Sequence, residues 1–304
     1  MKGLDLLGVS VHYLQHDFME EVRAAGLDEQ AAIYQIENLQ APKESMGIIR
    51  RKGAHIVSPV DGKLGASYVH CLTEKDHVGV ATHMISYTWG YSIGDIIDTL
   101  VDYCLTQNLD PKNTYVWICC LCVNQHRVIE LQEQARSGAK ADSSVDFFAE
   151  FGARVTGVGH VLAMMAPWND PWYLKRVWCI FEIYTAYKEN CQLTIVMPPA
   201  QKQKLCQDLL HSNDNGSGMD ALFLALASTR VQDAQASVES DKDAILNMVE
   251  KTHGFYTVNI RVNELLRAWV NSVVAEEMAV KERQYMQQQL SKDTRREDGL
   301  TYAG

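Results

Sequence analysis

Between residues 83 and 197, apolar runs alternate with amphipathic ones, and this rhythm constrains the fold more than any other feature of the chain. The runs 83–87, 114–123, 160–166 and 192–197 are apolar nearly throughout, not only at every second position. A strand with one wetted face shows period-two alternation, so strands apolar on both sides need cover on both faces. The intervening stretches 93–105, 130–136, 145–155 and 174–187 have helical composition and spacing. Such alternation predicts an α/β fold, a mostly parallel sheet with helices on both faces. Within 114–123, strand alternation would send Cys120 and Cys122 to the same face.

The flanks differ. Residues 1–80 read as an N-terminal α+β extension. Helical stripes over 16–39 (Phe18, Val22, Ala25, then Ala31, Ile33, Tyr34, Ile36) precede short strands at 53–57 and 67–72. Pro59-Val-Asp-Gly62 is a turn between those strands, because proline sets φ and glycine accepts positive φ. Beyond Pro198-Pro199, helices are expected at 201–211, 219–227, 242–251 and 262–277, with a weakly marked strand near 230–236 and a surface loop at 213–218. The expected organisation is an extension at 1–80, an α/β core at 81–200, a helical part packed on it at 201–280, and a polar tail at 281–304 that lacks an apolar face.

A formal net charge of -10 argues against a nucleic-acid-binding surface and a polybasic membrane patch. No apolar run nears the roughly 20 residues of a membrane span, and the opening residues, interrupted by Asp5, make a poor secretory signal. The eight cysteines lack the paired spacing of a zinc site. They are expected to be buried thiols, with no metal, in a soluble protein of the cytoplasm or another reducing compartment.

One acidic residue stands out. Glu182 lies in the helical segment Tyr173-Leu-Lys-Arg-Val-Trp-Cys-Ile-Phe-Glu-Ile-Tyr-Thr-Ala186, with Trp178, Cys179, Thr185 and Ala186 one turn away and Lys175 two turns away. None of its nearest helical neighbours neutralises a carboxylate, and an apolar setting makes such a group costly unless it is paired, protonated or used. In an open parallel sheet, ligands bind where the loops after the strands converge. Those loops are Ser86-Tyr-Thr-Trp-Gly90, Asn124-Gln-His126 and Ala166-Pro-Trp-Asn-Asp-Pro-Trp172, rich in aromatic side chains and poor in charge. That composition suits stacking on a flat heterocycle. Trp89, Trp168 and Trp172 stand near turns and are candidates to line a site, whereas Trp117 and Trp178 read as core. Neither G-x-G-x-x-G, nor a Walker motif, nor a nucleophile elbow occurs.

At these residues the chain resembles two related families. Ile85-Ser-Tyr-Thr-Trp-Gly90, Val116-Trp-Ile-Cys-Cys-Leu-Cys-Val-Asn-Gln125 and Arg176-Val-Trp-Cys-Ile-Phe-Glu182 are similar, in order, to the SYxWG, WIDxxCINQ and RxWxxQE blocks of fungal heterokaryon-incompatibility (HET) domains. Trp178-Cys-Ile-Phe-Glu-Ile183 is similar to the WCLxEL block of plant Toll/interleukin-receptor (TIR) domains, and Met84-Ile-Ser-Tyr87 to their opening strand. The likeness spans about 82–198, and Cys119 stands where the second HET block has Asp. It implies a flavodoxin-like fold and, as in catalytic TIR domains, cleavage of NAD at the nicotinamide–ribose bond. Glu182 would be the catalytic residue. Ser86, Tyr87, Thr88, Trp89, Asn124, Gln125 and Trp178 would hold the nucleotide, and the polar loop 137–144 would correspond to the closing loop. NAD is then a substrate, with no cofactor required. The rival expectation is a non-catalytic interaction module, self-associating or part of a larger assembly.

Overall fold

The computed structural model describes residues 6–38, 45–137, 147–211, 230–236 and 239–300. Six strands form one sheet: β1 (Leu7–Ser10), β2 (Val78–Val80), β3 (His83–Ser86), β4 (Tyr115–Ile118), β5 (His160–Met164) and β6 (Gln192–Val196). Their order is β2-β1-β4-β3-β5-β6. The pairs β3–β4, β3–β5 and β5–β6 are parallel, whereas β1 runs antiparallel to both β2 and β4. The sheet is therefore mixed, with a parallel part broadly compatible with the flavodoxin-like class.

The main helices are α1 (Met19–Ala24), α2 (Ile48–Gly53), α3 (Ile93–Thr106), α4 (Gln125–Arg136), α5 (Phe147–Val158), α6 (Val177–Lys188), α7 (Pro199–His211), α8 (Glu239–Thr252) and α9 (Gly254–Leu300). α3 begins where Ser92 accepts a hydrogen bond from the Asp95 amide at 3.1 Å, a cap worth about 1 kcal/mol. From β3 the chain steps through α3 to β4 on one side, and from β5 through α6 to β6 on the other. Right-handed crossovers running in opposite directions put α3 and α6 on opposite faces. α5 shares the α6 face, with Phe151 against Trp178 (ring centroids 5.1 Å apart) and edge-on to the buried Trp117. From Cys179 to Ala186 every residue of α6 is buried, because the sheet lies on one side of the helix and α8 and α9 on the other. A helix apolar nearly all round must be enclosed in this way.

Several expectations need correction. Within the expected extension at 1–80, β1 sits inside the sheet between β2 and β4. Four residues containing a glycine carry little strand signal. Gly8 is there because a Cβ would stand 2.9 Å from the Val116 carbonyl carbon. The expected strands at 53–57 and 67–72 are replaced by α2 and by the 3₁₀ turn Tyr68–Cys71. The turn between them does form: Gly62 has φ +73° and the Ser58 amide donates to the Lys63 carbonyl at 2.8 Å. The long apolar strand 114–123 ends at Ile118, and Cys119–Cys122 make a single helical turn, so Cys120 and Cys122 do not share a strand face. A continuous apolar run fits a buried helical turn as well as a strand. Near 230–236 the chain forms a 3₁₀ turn, Val231–Asp233, and one bridge between Gln235 and Arg176 instead of a strand. α9 continues as helix past 281, one of the two readings, frayed helix or disorder, that the polar tail allows. The helix at 219–227, the loop at 213–218 and residues 138–144 of the polar loop lie outside the described residues. No helix among the described residues is long and apolar enough to cross a membrane.

Candidate functional site

The parallel strands reverse their winding between β3 and β5, where Ser86 pairs in register with Ala163. Such a switch point leaves a crevice beyond the strand ends, because the two outgoing chains depart to opposite faces. Glu182, in the second turn of α6, projects to this point. It is 6% exposed, and its Oε2 shares a short hydrogen bond with the Ser86 hydroxyl, which is the donor when the carboxyl is ionised. The Ser86 oxygen also lies 2.6 Å from the Tyr173 hydroxyl, which donates to the Cys179 carbonyl at 3.2 Å.

No cation neutralises this carboxyl among the described residues; Lys175 is spent on Asp170 at the surface, 2.5 Å away. Burial therefore pushes Glu182 up from 4.5 to about 8, against a smaller downward pull from the Ser86 hydroxyl. At pH 7 the protonated form predominates. Oε1 has no hydrogen-bond partner among the described residues. Glu182 is neither locked in an ion pair nor completely walled in.

The aromatic loops shape the surroundings. The Tyr87 ring is buried, and its hydroxyl accepts from the Cys119 thiol at 3.4 Å; Cys119 in turn accepts from the Trp89 indole at 3.4 Å. Burial pushes the Cys119 thiol up to about 11, so it is no nucleophile at neutral pH. Thr88 is buried and turns back to accept from the Gly90 amide at 3.4 Å. The Tyr91 hydroxyl is a hub: it donates to the Ala166 carbonyl at 2.6 Å and accepts from the amides of Ala166 (3.1 Å) and Tyr173 (3.2 Å). This single oxygen holds the β5–α6 connection in place. Trp172, 47% exposed, stacks on the Tyr91 ring.

Of the residues singled out from sequence, Ser86 is brought directly to Glu182, and Tyr87 and Trp89 meet around Cys119. The other side chains direct their hydrogen bonds elsewhere. Asn124 donates to the Gly65 carbonyl and caps the His126 amide, while Gln125 donates to the carbonyls of Cys119, Cys120 and Val123 and so closes that helical turn. The Trp178 indole donates to Asp241 of α8 at 3.2 Å, and His126 contacts the Arg50 carbonyl. Trp168 is buried. Sequence reasoning assigned no role to Tyr173 or Tyr91, since neither lies at helical spacing from Glu182 or in a motif with charge. Clefts of about 380 and 470 Å³ open elsewhere, one along α3, β6 and α9 and the other beside Tyr13, and Glu182 lines neither. Enclosure is the better guide to the chemistry here, because a raised carboxyl reports desolvation directly. Among the described residues no group of three His, Cys, Asp or Glu side chains converges to hold a metal ion.

No family model, curated protein or solved structure matches the chain. Fold and site thus define a class by their chemistry: an α/β protein with a doubly wound parallel part and one neutral carboxyl at its switch point.

Proposed function

We propose that this chain is a TIR/HET-like NAD glycohydrolase of flavodoxin-like fold that cleaves the nicotinamide–ribose bond, with a possible signalling role and Glu182 as its catalytic carboxylate. The observation that carries the reading is a buried carboxyl with no ion-pair partner among the described residues, at the strand switch point, bonded to Ser86 and acting on the Cys119 thiol around which Tyr87 and Trp89 meet. Nicotinamide in NAD is cationic and leaves neutral, taking the electron pair of the glycosidic bond, so no general acid is needed. The ribosyl cation that develops calls for a nearby negative charge, and water completes the hydrolysis. Glu182 must be ionised for this, and burial opposes ionisation. An incoming cation reverses the balance, since opposite charges attract strongly away from water. Nucleotide binding would therefore release a proton. The indole face of Trp89 suits the same cation.

The test is incubation with NAD and chromatography for nicotinamide, at low and high protein concentration. The expected result is release that, at sub-saturating NAD, grows as pH rises through about 8 and is lost in Glu182→Ala. Absence of nicotinamide at every concentration overturns the reading. A non-catalytic interaction or assembly module is favoured by one feature, the closure of Ser86 over Glu182. It predicts no turnover in the parent protein together with self-association on size exclusion.

A further inference from the structure

The contacts around Glu182 form a chain whose members hold too few protons to satisfy every link in both charge states. Ser86 and Tyr173 each carry one hydroxyl proton. Ser86 is the donor to a carboxylate at Oε2; with the Glu182 proton on Oε2 this bond reverses, so that Glu182 donates to Ser86, Ser86 donates to Tyr173, and Tyr173 donates to the Cys179 carbonyl, and three links are made. When Glu182 is ionised, Ser86 must turn its proton to the carboxylate. Tyr173 then chooses between Ser86 and Cys179, and one link is lost.

We propose that Tyr173 is a positioning residue for Glu182, acting through Ser86 in a directional hydrogen-bond chain that is complete only while the carboxyl keeps its proton. Its bearing on turnover rests on the glycohydrolase reading; the chain itself does not. Glu182 is held neutral in the closed site, and the chain reverses when an arriving cation drives the proton out.

The other titratable groups around it leave this logic intact. Tyr87 follows β3, Cys119 follows β4, and Cys179 lies on α6 itself; burial pushes all three up, so they are neutral at pH 7. Burial likewise pushes up Tyr173. Arg176, at the start of α6, acts on Cys179, and Asp241 of α8 is engaged by Trp178.

The two hydroxyls are expected to act in opposite directions. Removing the Tyr173 hydroxyl takes two links from the neutral state and one from the ionised state, which favours ionisation. Removing the Ser86 hydroxyl takes the carboxylate's only donor among the described residues, and a charge-assisted bond is the stronger loss. The experiment is a pH titration of the full chain with carboxyl-¹³C glutamate, Glu182→Gln identifying the signal. Tyr173→Phe is expected to lower the Glu182 midpoint by roughly 0.5–1 pH unit, and Ser86→Ala to raise it by a similar amount. A midpoint unchanged in Tyr173→Phe, or displaced in the same direction by both variants, overturns the proposal. If Tyr173→Phe does not fold, Ser86→Thr against Ser86→Ala decides: Thr is expected to keep the parent midpoint, and a lowered midpoint in Ala overturns the chain. The titration uses no substrate, so failure to cleave NAD and failure of this chain are separate results.

Discussion

Replacing Glu182 with Gln should make the protein more stable, and increasingly so as pH rises. The unfolded chain loses the Glu182 proton near 4.5, whereas the folded protein keeps it to about 8. Between those values the folded state binds more protons than the unfolded one, so its stability falls with rising pH. The contribution is fully present below about 4.5 and gone once pH passes about 8. One unit of displacement corresponds to about 1.36 kcal/mol, and the interval therefore amounts to roughly 3–5 kcal/mol. Gln keeps the shape and can still bond Ser86 without titrating. His83 works in the opposite sense: burial first, then His160, pushes it down to about 4, so it adds stability as pH rises from about 4 to 6.5. That effect is common to both proteins and cancels in their difference. Urea denaturation of parent and variant, followed by tryptophan fluorescence, measures the difference across the range. The expected outcome is near equality below about pH 5 and a growing advantage for Gln, levelling off above about pH 8. A difference independent of pH, or one favouring the parent at high pH, refutes the assignment of Glu182 as an unpaired buried carboxyl.

Two further substitutions probe the scaffold. Tyr91→Phe leaves the buried amides of Ala166 and Tyr173 without an acceptor and is expected to cost about 2–4 kcal/mol in urea denaturation; a loss below about 1 kcal/mol would show that the hydroxyl does not hold the β5–α6 connection. Arg50→Ala strands Glu37, which is 0% exposed and bonded by the Arg50 guanidinium and amide, at an expected cost of about 3–5 kcal/mol. Replacing both Arg50 and Glu37 by Met should recover most of it, and a double variant no better than Arg50→Ala would contradict that account.

Much of the architecture was legible because it rests on local patterns. The apolar runs marked β3, α3, β5, α6 and β6 to within a few residues, since burial on both faces is written in neighbouring side chains. β1 was not legible: a four-residue strand with a glycine acquires meaning only from the Val116 backbone lying against it. The same holds for Cys119–Cys122, whose apolar character fits strand and helix equally, and which is settled by the Gln125 amide reaching back to its carbonyls.

At the site, the amino-acid order alone marked Glu182 as an acid among apolar neighbours and Ser86 as a residue at a strand end. Periodicity suffices for both, because it depends on residues three or four apart or on the end of a run. Only the tertiary structure decided that these two meet, that Tyr173 joins them, and that Asn124, Gln125 and Trp178 direct their hydrogen bonds elsewhere. Ser86 and Glu182 are 96 positions apart, and no local rule brings them together. The proton that Glu182 keeps at neutral pH is likewise a product of enclosure, since desolvation comes from the whole shell of packed atoms and not from the residues beside it in the chain.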